Sequence, residues 1–159
     1  MIFYRIAGAL ILVGSGVMGA YWMNRSASER LSQVEGWLSL LRYARTQVDC
    51  FALPMSVILK RADAELLRQC GYVGVSVPES FEALWSGCVI RDGACAEWMR
   101  NFSREFGKSY REEQGRGCEY YETLLEQRRD ALIFELPAKK KIHSALWVSG
   151  ALAVVILLI

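Results

Sequence analysis

After Lys139, Lys140 and Lys141 the sequence turns apolar from Ile142 to Ile159, and from Ser144 onward it carries no charge. At about 1.5 Å of rise per helical residue, these roughly eighteen residues reach about 27 Å, close to the ~30 Å hydrocarbon core of a bilayer. A buried helix of a soluble domain is the competing reading, but such helices are usually shorter and seldom lack charge on every face. The three lysines can snorkel to headgroups and Trp147 suits the interfacial belt. The segment 142–159 therefore reads as a transmembrane anchor.

A second apolar run, Ile6 to Met23, lies between Arg5 and Arg25, with Phe3 and Tyr4 at one mouth and Tyr21 and Trp22 at the other. A cleaved signal peptide competes here, yet Met18 stands where a small side chain is wanted before Ala20. The run is expected to form a first anchor over 5–24, leaving residues 25–138 as a single domain between two spans. Its flanks carry Arg25, Arg30, Lys139, Lys140 and Lys141, against Arg5 and the amino terminus on the far side. The positive-inside rule then puts the domain in the cytoplasm and both termini opposite. Trp22, Arg25, Lys139, Lys140, Lys141 and Trp147 are the expected membrane-interface anchors. Ser15 with Gly19, Gly16 with Ala20, and Ser149 with Ala153 are small pairs that could let the spans pack, a weak signal.

A net charge of +2 does not argue for nucleic acid, and the basic clusters sit beside apolar segments, where a membrane surface explains them. Cys50, Cys70, Cys88, Cys95 and Cys118 are odd in number and lack Cys-x-x-Cys spacing, so reduced and mostly buried thiols are expected.

Between the anchors the periodicity is helical. Ser26 with Glu29 makes a capping box, after which Val34, Trp37, Leu38, Leu41, Ala44, Val48 and Phe51 share one face. Beyond Leu53 and Pro54, the stripe Met55, Ile58, Leu59, Ala62, Leu66 and Cys70 predicts a second helix, stopped by Gly71. Tyr72, Val73, Val75 and Val77 hint at a strand, but so short a stretch with two glycines reads as a loop. Pro78 and Glu79 fit the first turn of a helix carrying Phe81, Leu84, Trp85 and Cys88, and a turn is expected at Asp92 and Gly93. Cys95, Trp98, Met99, Phe102 and Phe106 form the next stripe, ended by Gly107. The last soluble helix opens at Ser109, with Glu112 reaching back, and buries Cys118, Tyr121, Leu125 and Leu132. Gly115 and Gly117 suggest a kink or close packing there, and Pro137 separates the domain from the second span. The fold class is all-α, a small helical bundle.

Catalysis by nucleophile and base usually needs a histidine within the domain, and the only one, His143, lies at the membrane boundary. Glu112, Glu113, Glu119, Glu122 and Glu126 fit a solvated helix face balanced by Arg111, Arg116, Arg128 and Arg129 better than an acid–base pair. Gly14, Gly16 and Gly19 lie inside a span, where no phosphate loop can form. No catalytic residue, cofactor, metal or small-molecule substrate is expected.

In layout and motif the chain resembles the stage III sporulation protein AB family of endospore-forming bacteria. That family has an N-terminal anchor, a helical domain and a closing C-terminal anchor, with a Leu-Pro landmark matched by Leu53 and Pro54. Its motif Leu-Gly-x-Ser-Asp-Arg-Glu-Asp-Gln aligns with the stretch from Phe106 to Gln114. Gly107, Ser109, Arg111, Glu112 and Gln114 match, Phe106 and Glu113 are mild changes, and Tyr110 replaces an acid. The resemblance implies a non-enzymatic membrane component of the channel apparatus joining mother cell and forespore. It implies a domain like the cytoplasmic domains of type II secretion platform proteins, and as partners the sporulation ATPase, stage III sporulation protein AA, and other membrane components of the channel. Gly107, Ser109, Arg111, Glu112, Glu113 and Gln114 are the partner-binding candidates. An unrelated membrane-anchored helical adaptor would share the anchors and stripes but has no reason to carry the motif.

Overall fold

The computed structural model describes residues 25–51, 53, 56–108 and 112–135, with positions 14, 15, 18, 19, 21–23, 149 and 150 of the flanking helices. Six helices are described: α1 (Ile2–Phe51), α2 (Met55–Arg61), α3 (Ala64–Gln69), α4 (Phe81–Ser86), α5 (Gly93–Glu105) and α6 (Arg111–Leu158). The chain divides into a central unit, Glu29–Leu132, and an outer unit made of Met1–Ser28 and Ile133–Ile159. Among the described residues no helix is long and apolar enough to cross a membrane. The expected anchors, 5–24 and 142–159, fall largely outside those residues, as does the separation expected at Pro137.

The central unit is a helical bundle, and its sequence stripes become its core. Val34, Trp37, Leu38, Leu41, Ala44 and Val48 of α1 are buried, joined by Leu40. They meet Ile58 and Leu59 of α2, Leu67 of α3, Phe81 and Leu84 of α4, Cys95, Met99 and Phe102 of α5, and Cys118, Tyr121, Leu125 and Leu132 of α6. Trp98 packs against this cluster from its edge, only partly buried. Phe51 departs from its stripe and is exposed. It is the last residue of α1.

No helix begins at Ser26. α1 is continuous through it, because no glycine or proline interrupts residues 20–35 and nothing in that stretch breaks the backbone ladder. The second predicted helix is in fact two. α2 stops at Arg61, and Asp63 caps α3, its carboxylate accepting from the Glu65 amide at 3.0 Å, the competition with helix that short acidic side chains offer. Gly71 closes α3 in a Schellman motif: the Gly71 amide donates to the Arg68 carbonyl at 2.9 Å and the Tyr72 amide to the Leu67 carbonyl at 3.1 Å. Its φ of +95° needs glycine, and a Cβ there would stand 2.7 Å from the Val89 carbonyl oxygen. Gly71→Ala should therefore cost more than the ~1 kcal/mol typical of an incompatible glycine site, read as a lowered urea midpoint.

Tyr72 and Cys88 form an isolated antiparallel bridge, with the Val73 amide donating to Gly87 and the Val89 amide to Gly71; no strand occurs among the described residues. The stretch to Val77 is otherwise loop. α4 starts later than Pro78 suggested: Ser80 is its cap, its hydroxyl accepting from the Ala83 amide at 3.1 Å, and Pro78 is buried ahead of it. A helix wanting a side-chain acceptor at its N-cap finds one in Ser80 and none in Pro78. At the expected turn, Asp92 is the cap of α5.

Candidate functional site

The stretch from Phe106 to Gln114 starts in the core and leaves it. Phe106 is buried, its ring 5.2 Å from that of Phe81 and 4.6 Å from that of Phe102, and Phe102 lies 5.4 Å from Tyr121. These aromatics, from three elements, fix where the chain turns out of α5. Gly107 follows at φ +90°, a conformation that favours glycine, so its place in the motif has a local backbone reason. Gly107, Glu112 and Glu113 are exposed and Gln114 is half-buried. Ser109, Tyr110 and Arg111 lie outside the described residues, and the cap expected from Ser109 lies there with them. Of the expected membrane-interface residues, Trp22 and Arg25 are exposed, while Lys139, Lys140, Lys141 and Trp147 are not described; nor is His143.

The acidic face of α6 is not simply solvated. Glu126 pairs with Arg42 of α1, and Arg45 reaches Glu119 at 3.4 Å and Glu122 at 3.7 Å as well as Asp49 on its own helix. A row of carboxylates on α6 thus faces two arginines on α1. The Glu122 side chain is mostly buried, and burial pushes its carboxyl up against the opposing pull of Arg45 and Arg42. Its Oε1 has no hydrogen-bond partner. Such an arrangement clamps two helices together.

Asp92 and Arg128 were not legible as a pair. Asp92 is only 2% exposed, accepts from the Cys95 amide at 3.0 Å, and receives two-pronged hydrogen bonds from Arg128, Nη2 to Oδ2 at 2.7 Å and Nε to Oδ1 at 3.2 Å. Burial alone would raise the Asp92 carboxyl, but the Arg128 hydrogen bonds, the Cys95 amide and the charges of Arg128 and Arg30 together hold it below its ordinary value. An Asp before the apolar stripe of α5 is a recognisable cap signal. Its partner, thirty-six residues on, gives none.

A second polar feature joins α1 to the bridge. The Gln33 amide donates to the Val89 carbonyl at 2.7 Å and accepts from the Arg91 amide at 2.9 Å, while Arg91 pairs with Glu29 at 3.0 Å. These residues, with Arg68, Tyr72 and Val73, line an open groove of about 430 Å³.

The thiols are free. Burial pushes Cys88, Cys95 and Cys118 up to about 12 and Cys70 well above its ordinary range, so all four stay neutral and are poor nucleophiles. Cys50 alone is exposed. No group of histidine, cysteine or acidic side chains among the described residues could hold a metal ion.

The sequence pattern of the family described as stage III sporulation protein AB matches residues 5–159. No curated protein and no solved structure matches the chain.

Proposed function

The chain belongs to the stage III sporulation protein AB family, a sporulation component and not a known enzyme family, and on that premise we propose that it is a membrane platform of a secretion-like channel complex. In this reading it links mother cell and forespore and docks the sporulation ATPase, stage III sporulation protein AA, together with other membrane components of the channel. The observation that carries the proposal is the reach of the family match, which takes in both apolar runs, the bundle and the 107–114 motif together. An exposed acidic opening at Glu112 and Glu113 suits docking.

The test replaces Arg111 by glutamate in sporulating cells. Arg111 matches the family motif, cap geometry does not demand it, and an arginine there can make paired, charge-assisted bonds to a partner carboxylate. Unchanged thermal stability with lost capture of the ATPase is the expected outcome. Retained capture with normal spore formation would remove Arg111 from the docking surface.

The proposed topology places the central unit in the mother-cell cytoplasm, from the five basic residues that flank it. Cys50 is a built-in reporter, being the one exposed thiol. A membrane-impermeant maleimide should leave it unlabelled in intact cells and label it after permeabilisation. Labelling in intact cells would reverse the orientation.

A further inference from the structure

One stretch of the central unit is exposed, apolar and without charge. From Gly71 to Pro78 there is no charged side chain, and Val73, Val75 and Val77 within it are all exposed, Val75 completely. Val89, on the other side of the Tyr72–Cys88 bridge, is exposed too and lines one groove with Val73. Much of the polar backbone here already has partners inside the chain. The Val73 amide donates to the Gly87 carbonyl, the Val89 amide to the Gly71 carbonyl, the Tyr72 hydroxyl to the Ser76 carbonyl at 2.7 Å, and the Gln33 amide to the Val89 carbonyl at 2.7 Å. Polar groups partnered in this way lose little when water is removed from around them, so an uncharged loop built like this one leaves water easily.

The place of the valines in the chain narrows what can cover them. Glu29 lines the same groove as Val73 and Val89, and it pairs with Arg91 at 3.0 Å. It is the residue at which the central unit begins, and it follows Arg25, the expected mouth of the first anchor, by four residues. Four residues span about 14 Å at most in any conformation. A bilayer that holds the anchor is therefore never far from the valines, and the tether gives it a local concentration that no partner from solution has. A fluid surface also needs no matching pocket, since it closes around a projecting side chain such as Val75 and rewards apolar area in proportion to what is offered. Arg68 and Arg91 stand well exposed at the groove, against Glu29 as the one acid in its lining. Each arginine keeps a glutamate partner, so contact with lipid phosphates adds to the apolar insertion rather than driving it.

We propose that the loop from Val73 to Val77, with Val89, rests in the headgroup and upper acyl region of the bilayer that holds the anchors, and so fastens the start of the central unit to the lipid surface. The inference rests on the membrane reading given above and adds to it a lipid contact made by the bundle itself.

The experiment uses the full chain reconstituted into vesicles of phosphatidylcholine and phosphatidylglycerol. Flotation with the vesicles in alkaline carbonate reads the anchors separately from the loop. In a Cys50→Ser background, Val75→Cys labelled with the fluorophore nitrobenzoxadiazole should lose most of its emission when the vesicles carry phosphatidylcholine spin-labelled near the top of the acyl chain. The wild type labelled at Cys50 should lose little, because Cys50 lies twenty-one residues beyond Glu29 on α1, about 32 Å along the helix. Adding Val73→Asp and Val77→Asp to the chain labelled at position 75 should restore much of its emission with flotation unchanged. A chain that floats with an unquenched probe at position 75, or with both probes quenched alike, would overturn the proposal and leave the membrane reading standing. Quenching indifferent to the two aspartates would show the fluorophore seeking lipid by itself, and blue-shifted emission without quenching would show a protein cover, a second copy or another chain; either overturns the proposal. A chain that does not float would overturn the membrane reading and this inference with it.

Discussion

Replacing Arg128 by methionine is expected to destabilise the protein by about 3 kcal/mol, the lower end of the roughly 3–5 kcal/mol that follows when one partner is removed from a buried ion pair. The lower end applies because Arg128 keeps 28% of its side chain in water while Asp92 keeps 2%. Methionine retains the packing of the stem and leaves the Asp92 carboxylate buried with the Cys95 amide and the charge of Arg30 to stabilise it. In the wild type the Asp92 carboxyl lies below its ordinary 3.8, so its stabilisation is complete above that value and is lost as pH falls through the lower, folded value. Without Arg128, burial raises the carboxyl instead, and the deficit relative to wild type should shrink in mildly acidic buffer. Adding Asp92→Asn, which keeps a capping oxygen and removes the charge, should recover much of the loss at neutral pH. Urea titration of the full chain in detergent, at neutral and acidic pH, reads all three. A pH-independent deficit for Arg128→Met would mean that the pair does not hold the start of α5.

Truncating Trp37 to alanine should be at least as costly, about 3–5 kcal/mol out of the 5–15 typical of a domain. Trp37 is fully buried in the middle of the α1 stripe, among residues from every other helix of the central unit. Its indole Nε1 is buried without a hydrogen-bond partner, a group whose desolvation costs about 1–3 kcal/mol. Trp37→Phe removes that donor along with part of the ring, so the two effects offset and the variant should lie much nearer wild type than Trp37→Ala. Equal losses for both would show that the indole nitrogen is satisfied in solution. Trp98→Ala should cost less than Trp37→Ala, since Trp98 packs only at the edge of the core.

Much of this bundle was legible residue by residue. Helical spacing found the buried faces of α1, α5 and α6, because an amphipathic helix writes its core contacts at intervals of three and four along one segment. Gly71 announced the end of α3, since a left-handed residue closing a helix is a local requirement. The structure departs from the sequence pattern where local signals compete. Ser26 offered a cap in a stretch with no reason to stop, and Asp63 divided a stripe whose apolar rhythm continued past it. Phe51 kept the rhythm of α1 but is its last residue and lies exposed.

For the candidate site the balance differs. The motif from Phe106 to Gln114 was visible as a pattern, yet its first residue proves to be core and its glycine a backbone necessity. The charged face of α6 was visible as a row of glutamates and arginines, and nothing along that row distinguished Arg128, which meets a buried aspartate, from Arg116, which is exposed. The sequence by itself determined the helical class, the faces that seek burial, the apolar runs at either end and the family. Only the tertiary structure decided that Asp92 meets Arg128, that Arg42 and Arg45 meet the α6 carboxylates, and that Gln33 of α1 ties down the backbone at Val89 and Arg91. The physical reason is range: periodicity, caps and turns act within a few residues, while a pairing across tens of residues is chosen by packing, which places the partners only after the helices have docked.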